Sequence, residues 1–174
     1  MIGNHRIILI AAVDRNWAIG KNNELLWHIP SDMEFFKNVT SHNIVVYGYN
    51  TFISLPSISP LANRANIVLT SKELQVEWPN LYVAHSVEEV VSVIEDSPDD
   101  RDVFICGGES IYDQFLQYCD LAFVTRVDAE VADADTHIVN LEMLSEWKSA
   151  GIPLPILDEA SGLTIRFFTY VRIK

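Results

Sequence analysis

Asp32 is the residue around which chemistry can be assembled. It lies in the run from Ile19 to Thr40, IGKNNELLWHIPSDMEFFKNVT. Ser31 and Glu34 stand three apart after Pro30, the spacing of a capping box, so the run predicts a helix over 31–40. On that helix Asp32, Met33, Phe36 and Thr40 fall near one face, because residues three and four apart are neighbours. The face therefore carries a carboxylate at the end of an apolar stripe. A flat heterocycle can pack on Met33 and Phe36 while Asp32 accepts its N–H groups. Upstream, Gly20, Asn22 and Asn23 form a polar loop that Trp27 closes. Taken alone, the segment has a plainer reading: an acid complementing a helix dipole, with Trp27 and Phe36 as ordinary core.

A second group of residues has the chemistry to hold phosphate. Gly107-Gly108 ends an apolar run and precedes a helical one. Ligands in open α/β sheets sit beyond the carboxyl ends of the strands. Glycines there let the backbone approach a phosphate, toward which the next helix points its N–H groups. The run is not a G-x-G-x-x-G fingerprint, and a tight turn would look the same. Arg64 has the planar fork that suits a carboxylate, although in isolation it reads as a surface cation. Thr125 alone reads as a strand residue, and Thr70-Ser71 alone as a turn.

The elements that must position these groups alternate along the chain. Strands are predicted over 6–13, 43–48, 66–70, 81–84, 103–106 and 121–127. Helices are predicted over 31–40, in a short segment after Tyr49, over 86–97 with its own Ser86-x-x-Glu89 capping box, and over 110–118. The tail over 163–173 alternates as a long edge strand, partnered near 137–139. Such alternation implies an α/β sheet, mostly parallel and covered on both faces, with antiparallel final strands. No repeat or linker divides the chain, so residues 1–174 are expected to form a single domain.

The segments Ile19-Gly20, Leu25-x-Trp27 and Pro30-x-Asp32-x-x-x-Phe36-Lys37, followed by Thr40, resemble the active-site loop and first helix of dihydrofolate reductase. Ile105-Cys-Gly-Gly-Glu-Ser-Ile-Tyr112 is similar to that family's cofactor-binding segment, and Gly48-x-x-Thr51-Phe52 to its glycine–threonine motif. Leu61-x-x-Arg64-x-Asn66 resembles the segment whose arginine holds the substrate's glutamate carboxylate. Thr70-Ser71, Thr125 within Phe123–Ala129, and Asp135-Thr136-His137 follow in the family's order. The resemblance spans residues 6 to about 140.

It implies NADPH-dependent reduction of dihydrofolate to tetrahydrofolate on a single-domain reductase fold, mostly parallel with an antiparallel C-terminal edge. Asp32 and Trp27 are then the catalytic residues. Ile10, Asp32, Met33, Phe36, Leu55, Arg64, Cys106 and Thr125 receive the substrate. The cofactor falls to Ala12, Ile19, Gly20, Gly48, Tyr49, Asn50, Thr51, Thr70, Ser71 and His85, and to the run Gly107, Gly108, Glu109, Ser110, Ile111 and Tyr112. Three positions depart from the pattern: Trp17 where glycine is frequent, Leu26 where the loop has proline, and Tyr49 where an arginine supports the NADPH phosphates. A same-fold ribosylamino-pyrimidine reductase and a non-catalytic pterin- or nucleotide-binding protein remain as alternatives.

Composition bounds these readings. A chain of 174 residues with 49% hydrophobic residues can bury about two-thirds of its unfolded surface. A formal net charge of −12 disfavours nucleic acid or an anionic membrane as main partner. Two cysteines, Cys106 and Cys119, make no disulfide framework, and the five histidines form no HExxH pair, so no metal is expected. The apolar run ending at Asp14 reads as a buried strand, not a leader. The expectation is a cytoplasmic monomer with reduced thiols and a small-molecule substrate.

Overall fold

The computed structural model describes residues 1–75 and 77–173. In chain order the elements are β1 (Ile7–Val13), β2 (Ala18–Lys21), β3 (Glu24–Leu25), α1 (Pro30–Thr40), β4 (Ile44–Gly48), α2 (Tyr49–Ser54), β5 (Ala65–Leu69), β6 (Leu81–Ala84), α3 (Val87–Glu95), β7 (Val103–Ile105), α4 (Glu109–Phe115), β8 (Leu121–Val127), β9 (Thr136–His137), β10 (Trp147–Ser149), β11 (Ile156–Asp158) and β12 (Leu163–Arg172). The main sheet runs β10-β12-β8-β1-β7-β4-β5-β6, with β11 also on β12. From β8 through β6 every pairing is parallel. β12 joins β8 antiparallel.

The core follows from the two-residue period of the strands. Along β1, Ile7 and Leu9 enter one cluster, with Val90 and Ile94 of α3 and Ile111 and Phe115 of α4. Ile8 and Ile10 enter the other, with Phe52 of α2 and Phe35, Phe36 and Val39 of α1. The helices thus cover both faces, as the alternation predicts. All five residues of β4 are buried, the pattern of a strand packed on two sides.

Three local expectations change. The helix expected from Ser31 starts at Pro30, whose fixed φ suits a first helical position. Its N-cap is then Ile29, which has no side-chain acceptor, and Ser31 bonds to Asp158 instead. The Ser86 cap forms as expected, accepting from the Glu89 N–H at 3.1 Å. The strand over 163–173 is present as β12, but it is not an edge, and residues 137–139 do not partner it. β10 and β11 lie on its far side, while β9 pairs with β2 in a small separate sheet. Three-residue strands carry too little periodicity to be read from sequence. Finally, the polar loop is a hairpin. Asn22 and Asn23 sit at φ 52° and 62°, the left-handed pair of a two-residue turn between β2 and β3.

Candidate active site

Asp32 is the third residue of α1, and the helix lies against the carboxyl ends of β1 and β8. Thr125 of β8 stands beside Ala12 of β1, and its hydroxyl donates to Asp32 Oδ1 at 2.6 Å. Burial pushes the Asp32 pKa up, and the bond from Thr125 pulls it partly back. A group that is both desolvated and oriented by a neighbour is a candidate for chemistry. Phe35, on the inward side of α1, packs on Phe167 with ring centroids 4.7 Å apart and on Phe123 at 6.2 Å. That seats the helix against β8 and β12.

A cavity of about 40 Å³ opens beside Asp32, lined by Ala12, Ile19, Leu25, Leu26, Trp27, Ile29 and Met33. It has room for only a few waters. Trp27 is half-buried and packs with Ile29, Val127 and Ile165, whereas Met33 is exposed. Below, Phe36, Leu55 and Cys106 pack against the cluster of Ile8 and Ile10. The Cys106 thiol is pushed up to about 12 by burial, which makes it an apolar wall and not a nucleophile. Tyr112 is buried and donates to the Ile10 carbonyl at 2.7 Å.

At the far end of the same helix face, Arg64 donates to Thr40 Oγ1 at 3.0 Å and to the Ala62 carbonyl at 2.9 Å. Asp32, Phe36 and Thr40 are spaced i, i+4, i+8, so α1 spans a carboxylate at one end and a guanidinium at the other. Burial lowers the Arg64 pKa from its usual value.

A second group gathers where β4 and β7 end. The Gly48 N–H donates to the Gly107 carbonyl at 2.8 Å, and the Gly107–Gly108 bond is cis. Gly107 has φ +106°, and a Cβ there would lie 3.0–3.1 Å from the Tyr112 ring. A Cβ on Gly48 would lie 3.0 Å from Ile111. The two turns thus leave bare backbone where side chains do not fit, next to Asn50 and Thr51 of α2. Glu109 and Ser110 of α4 are engaged within the protein: Glu109 accepts from the His137 N–H at 3.2 Å, and the Ser110 hydroxyl from Gln114 at 2.8 Å. Farther along, the Lys72 ammonium sits over the Tyr49 ring, 4.1 Å from its centroid. Thr70 accepts from the Lys72 N–H through its hydroxyl at 3.1 Å, and its carbonyl meets His85 Nδ1 at 2.7 Å. Ser71 lies exposed beside them. Tyr49 and Lys72 thus form one cation–aromatic unit.

Several residues that shape the site escaped sequence reasoning. Asp14 is fully buried and accepts the N–H groups of Asn16, Ala18 and Val131 at 2.7, 2.9 and 3.1 Å. An acid closing an apolar strand is a visible signal, but its partner 117 residues away is not. Lys21 pairs with Asp133, and Asp135 accepts from the Asn22 N–H at 2.9 Å, so the 128–135 loop holds the β2–β3 hairpin. Trp17, by contrast, is already marked in the sequence as standing where glycine is frequent; it adopts φ 61°, a strained setting for a large side chain. Its indole is buried against Tyr170, 5.9 Å between centroids, with the Arg126 guanidinium 5.4 Å away.

A desolvated carboxylate and a bare glycine turn at the carboxyl ends of an open sheet are the setting of a ligand-binding α/β enzyme. The sequence profile of dihydrofolate reductase matches residues 6–172, and the chain belongs to that family of oxidoreductases. It is 33% identical to the dihydrofolate reductase of Staphylococcus haemolyticus over 97% of both chains. To that of Bacillus subtilis (strain 168) it is 32% identical over 94% of this chain and 93% of the relative. Among solved structures, the dihydrofolate reductase from Enterococcus faecalis, complexed with NADP(H) and RAB-propyl, superposes with a TM-score of 0.85. Coverage is 100% of both chains at 30% identity.

Proposed function

We propose that the protein reduces 7,8-dihydrofolate to 5,6,7,8-tetrahydrofolate with NADPH. The observation that carries the proposal is the Thr125–Asp32 pair in an apolar cleft, with Arg64 at the other end of the same helix face. The pterin ring lies along Met33 and Phe36, its N–H groups donating to Asp32. The glutamate carboxylate of the tail meets the Arg64 fork.

NADPH fits the second group of residues: Gly48 and Gly107–Gly108 give close backbone approach, and the Tyr49–Lys72 unit supplies a cation for a phosphate. When bound, it supplies the hydride that C6 of the pterin accepts. Asp32 does the rest by charge. Its carboxylate favours a proton on pterin N5, delivered by water, which makes C6 the better acceptor. Thr125 holds the carboxylate in register. The cavity beside Asp32 is too small for a bicyclic ring, so the segment from Leu25 to Trp27 moves aside to admit ligand and closes again to exclude water. Ala12, Ile19 and Gly20 border the nicotinamide end.

The test is direct. NADPH oxidation followed with and without dihydrofolate should show dependence on the folate substrate. A protein that binds NADPH but oxidises none of it when dihydrofolate is added overturns the reading.

A further inference from the structure

α1 carries the carboxylate on which the proposed chemistry depends, yet it lacks a cap of its own. Ile29 offers no side-chain acceptor, and Pro30 has no N–H. Asp32 and Met33 both send their N–H groups to the Ile29 carbonyl at 3.0 Å. In the first turn that leaves the Ser31 N–H to be satisfied from outside. Asp158, the last residue of β11, does this. Its Oδ1 accepts the Ser31 N–H at 3.0 Å and also the Ser31 hydroxyl. Its Oδ2 accepts the Ser161 N–H at 2.8 Å, within the turn leading to β12. Asp158 is 3% exposed, and among the described residues no cation pairs with its carboxylate within salt-bridge distance.

We propose that Asp158 is the positioning residue for Asp32: from the end of β11 it clamps Ser31, and so fixes where the next residue of α1 holds its carboxylate. The inference rests on the role given to Asp32 above. The clamp and the target are adjacent in sequence, so a first turn released from Asp158 is free to fray, and fraying displaces Asp32 from Thr125. Misplacement by an ångström is enough to slow a reaction that depends on alignment. The cofactor groups lie on other elements and are not touched.

Hydride transfer at neutral pH should fall about tenfold in Asp158→Ala, with the NADPH dissociation constant unchanged. The pH dependence of the rate should move as well, because a loosened Asp32 is more hydrated and titrates closer to an ordinary carboxylate. Asp158→Asn keeps an oxygen for Ser31 and should recover most of the rate; Ser31→Ala, which removes only the hydroxyl, should show a smaller loss. All are measured well below their melting temperatures. Parent rate and parent pH profile in folded Asp158→Ala overturn the inference. If that variant does not fold, Ser31→Ala decides, and an unchanged rate and profile there overturn it equally. A parent protein inactive on dihydrofolate removes the functional reading and this inference together, whereas an active parent with unaffected variants removes the inference alone.

Discussion

At the scale of the residue, the burial that suits Asp32 to its proposed role weakens the fold at neutral pH. Its pKa in the folded protein is raised by burial, above the value of about 3.9 for an unfolded chain. A raised carboxylate gives its full stability below the unfolded value, and loses it as pH climbs through the folded one. Asp32→Asn keeps an acceptor for Thr125 and carries no charge. It should therefore melt above the parent at neutral pH, with the gap closing toward about pH 4. The same variant should lose turnover about 10²–10⁴-fold at neutral pH, less so at low pH where substrate arrives protonated. Thermal melts and steady-state rates across pH measure both, and equal melting at pH 7 contradicts the first.

Arg64 and Lys72 divide along the two ligands. Arg64→Lys keeps charge but loses the fork, so dihydrofolate affinity should drop while a tail-less dihydropterin is unaffected; equal losses for both would make Arg64 structural. For Lys72, stacked on Tyr49, removal in Lys72→Ala should cut the preference for NADPH over NADH about tenfold, the equivalent of roughly 1.4 kcal/mol. The ratio of kcat/KM for the two cofactors reads it. That pairing changes the meaning of Tyr49: in sequence it is a lost arginine, in the folded protein it is the platform for a lysine.

At the scale of the element, the glycine turn after β7 makes a paired test possible. Gly107→Ala sets a Cβ 3.0–3.1 Å from the Tyr112 ring at φ +106°, which should destabilise by about 1–3 kcal/mol. At Gly108 the nearest contact of an added Cβ is Thr51 Oγ1 at 3.9 Å. Gly108→Ala should leave the fold unmoved and weaken NADPH alone. Denaturation midpoints and cofactor titrations separate the two, and retained cofactor affinity in Gly108→Ala would remove this turn from the site. Elements of this kind were legible in the sequence, since β6 and β8 coincide with the predicted runs. The cap of α1 was not, because the Ser31–Glu34 spacing imitates a local cap while the true acceptor arrives 127 residues later. The C-terminal pairings were hidden for a similar reason: strands of three residues have no period, and their partners are set by Trp147 and β12 packing, not by local propensity.

At the scale of the molecule, the charge of −12 opposes both proposed ligands, each an anion. The local cations Arg64 and Lys72 act at contact distance, whereas the overall field acts at long range and is screened over about 10 Å at 0.1 M salt. Association of NADPH should therefore quicken as salt rises from about 20 to 200 mM, the reverse of a basic binding protein. Stopped-flow on-rates decide it; rates that fall with salt would mean that the local cations dominate the approach.

The position of β12 has a consequence for synthesis on the ribosome. β8 pairs with β1 on one side and waits for β12 on the other. At 5–20 residues per second, translation from Val127 to Leu163 takes roughly 2–7 s. During that interval the open flank of β8 is a template for unwanted strands. The helix bearing Asp32 also emerges early and lacks two of its moorings, since Asp158 is translated near the end of that gap and Phe167 after it. A nascent chain paused there should be captured by holdase chaperones and remain sensitive to protease, and it should become resistant only when residues 158–172 have cleared the tunnel.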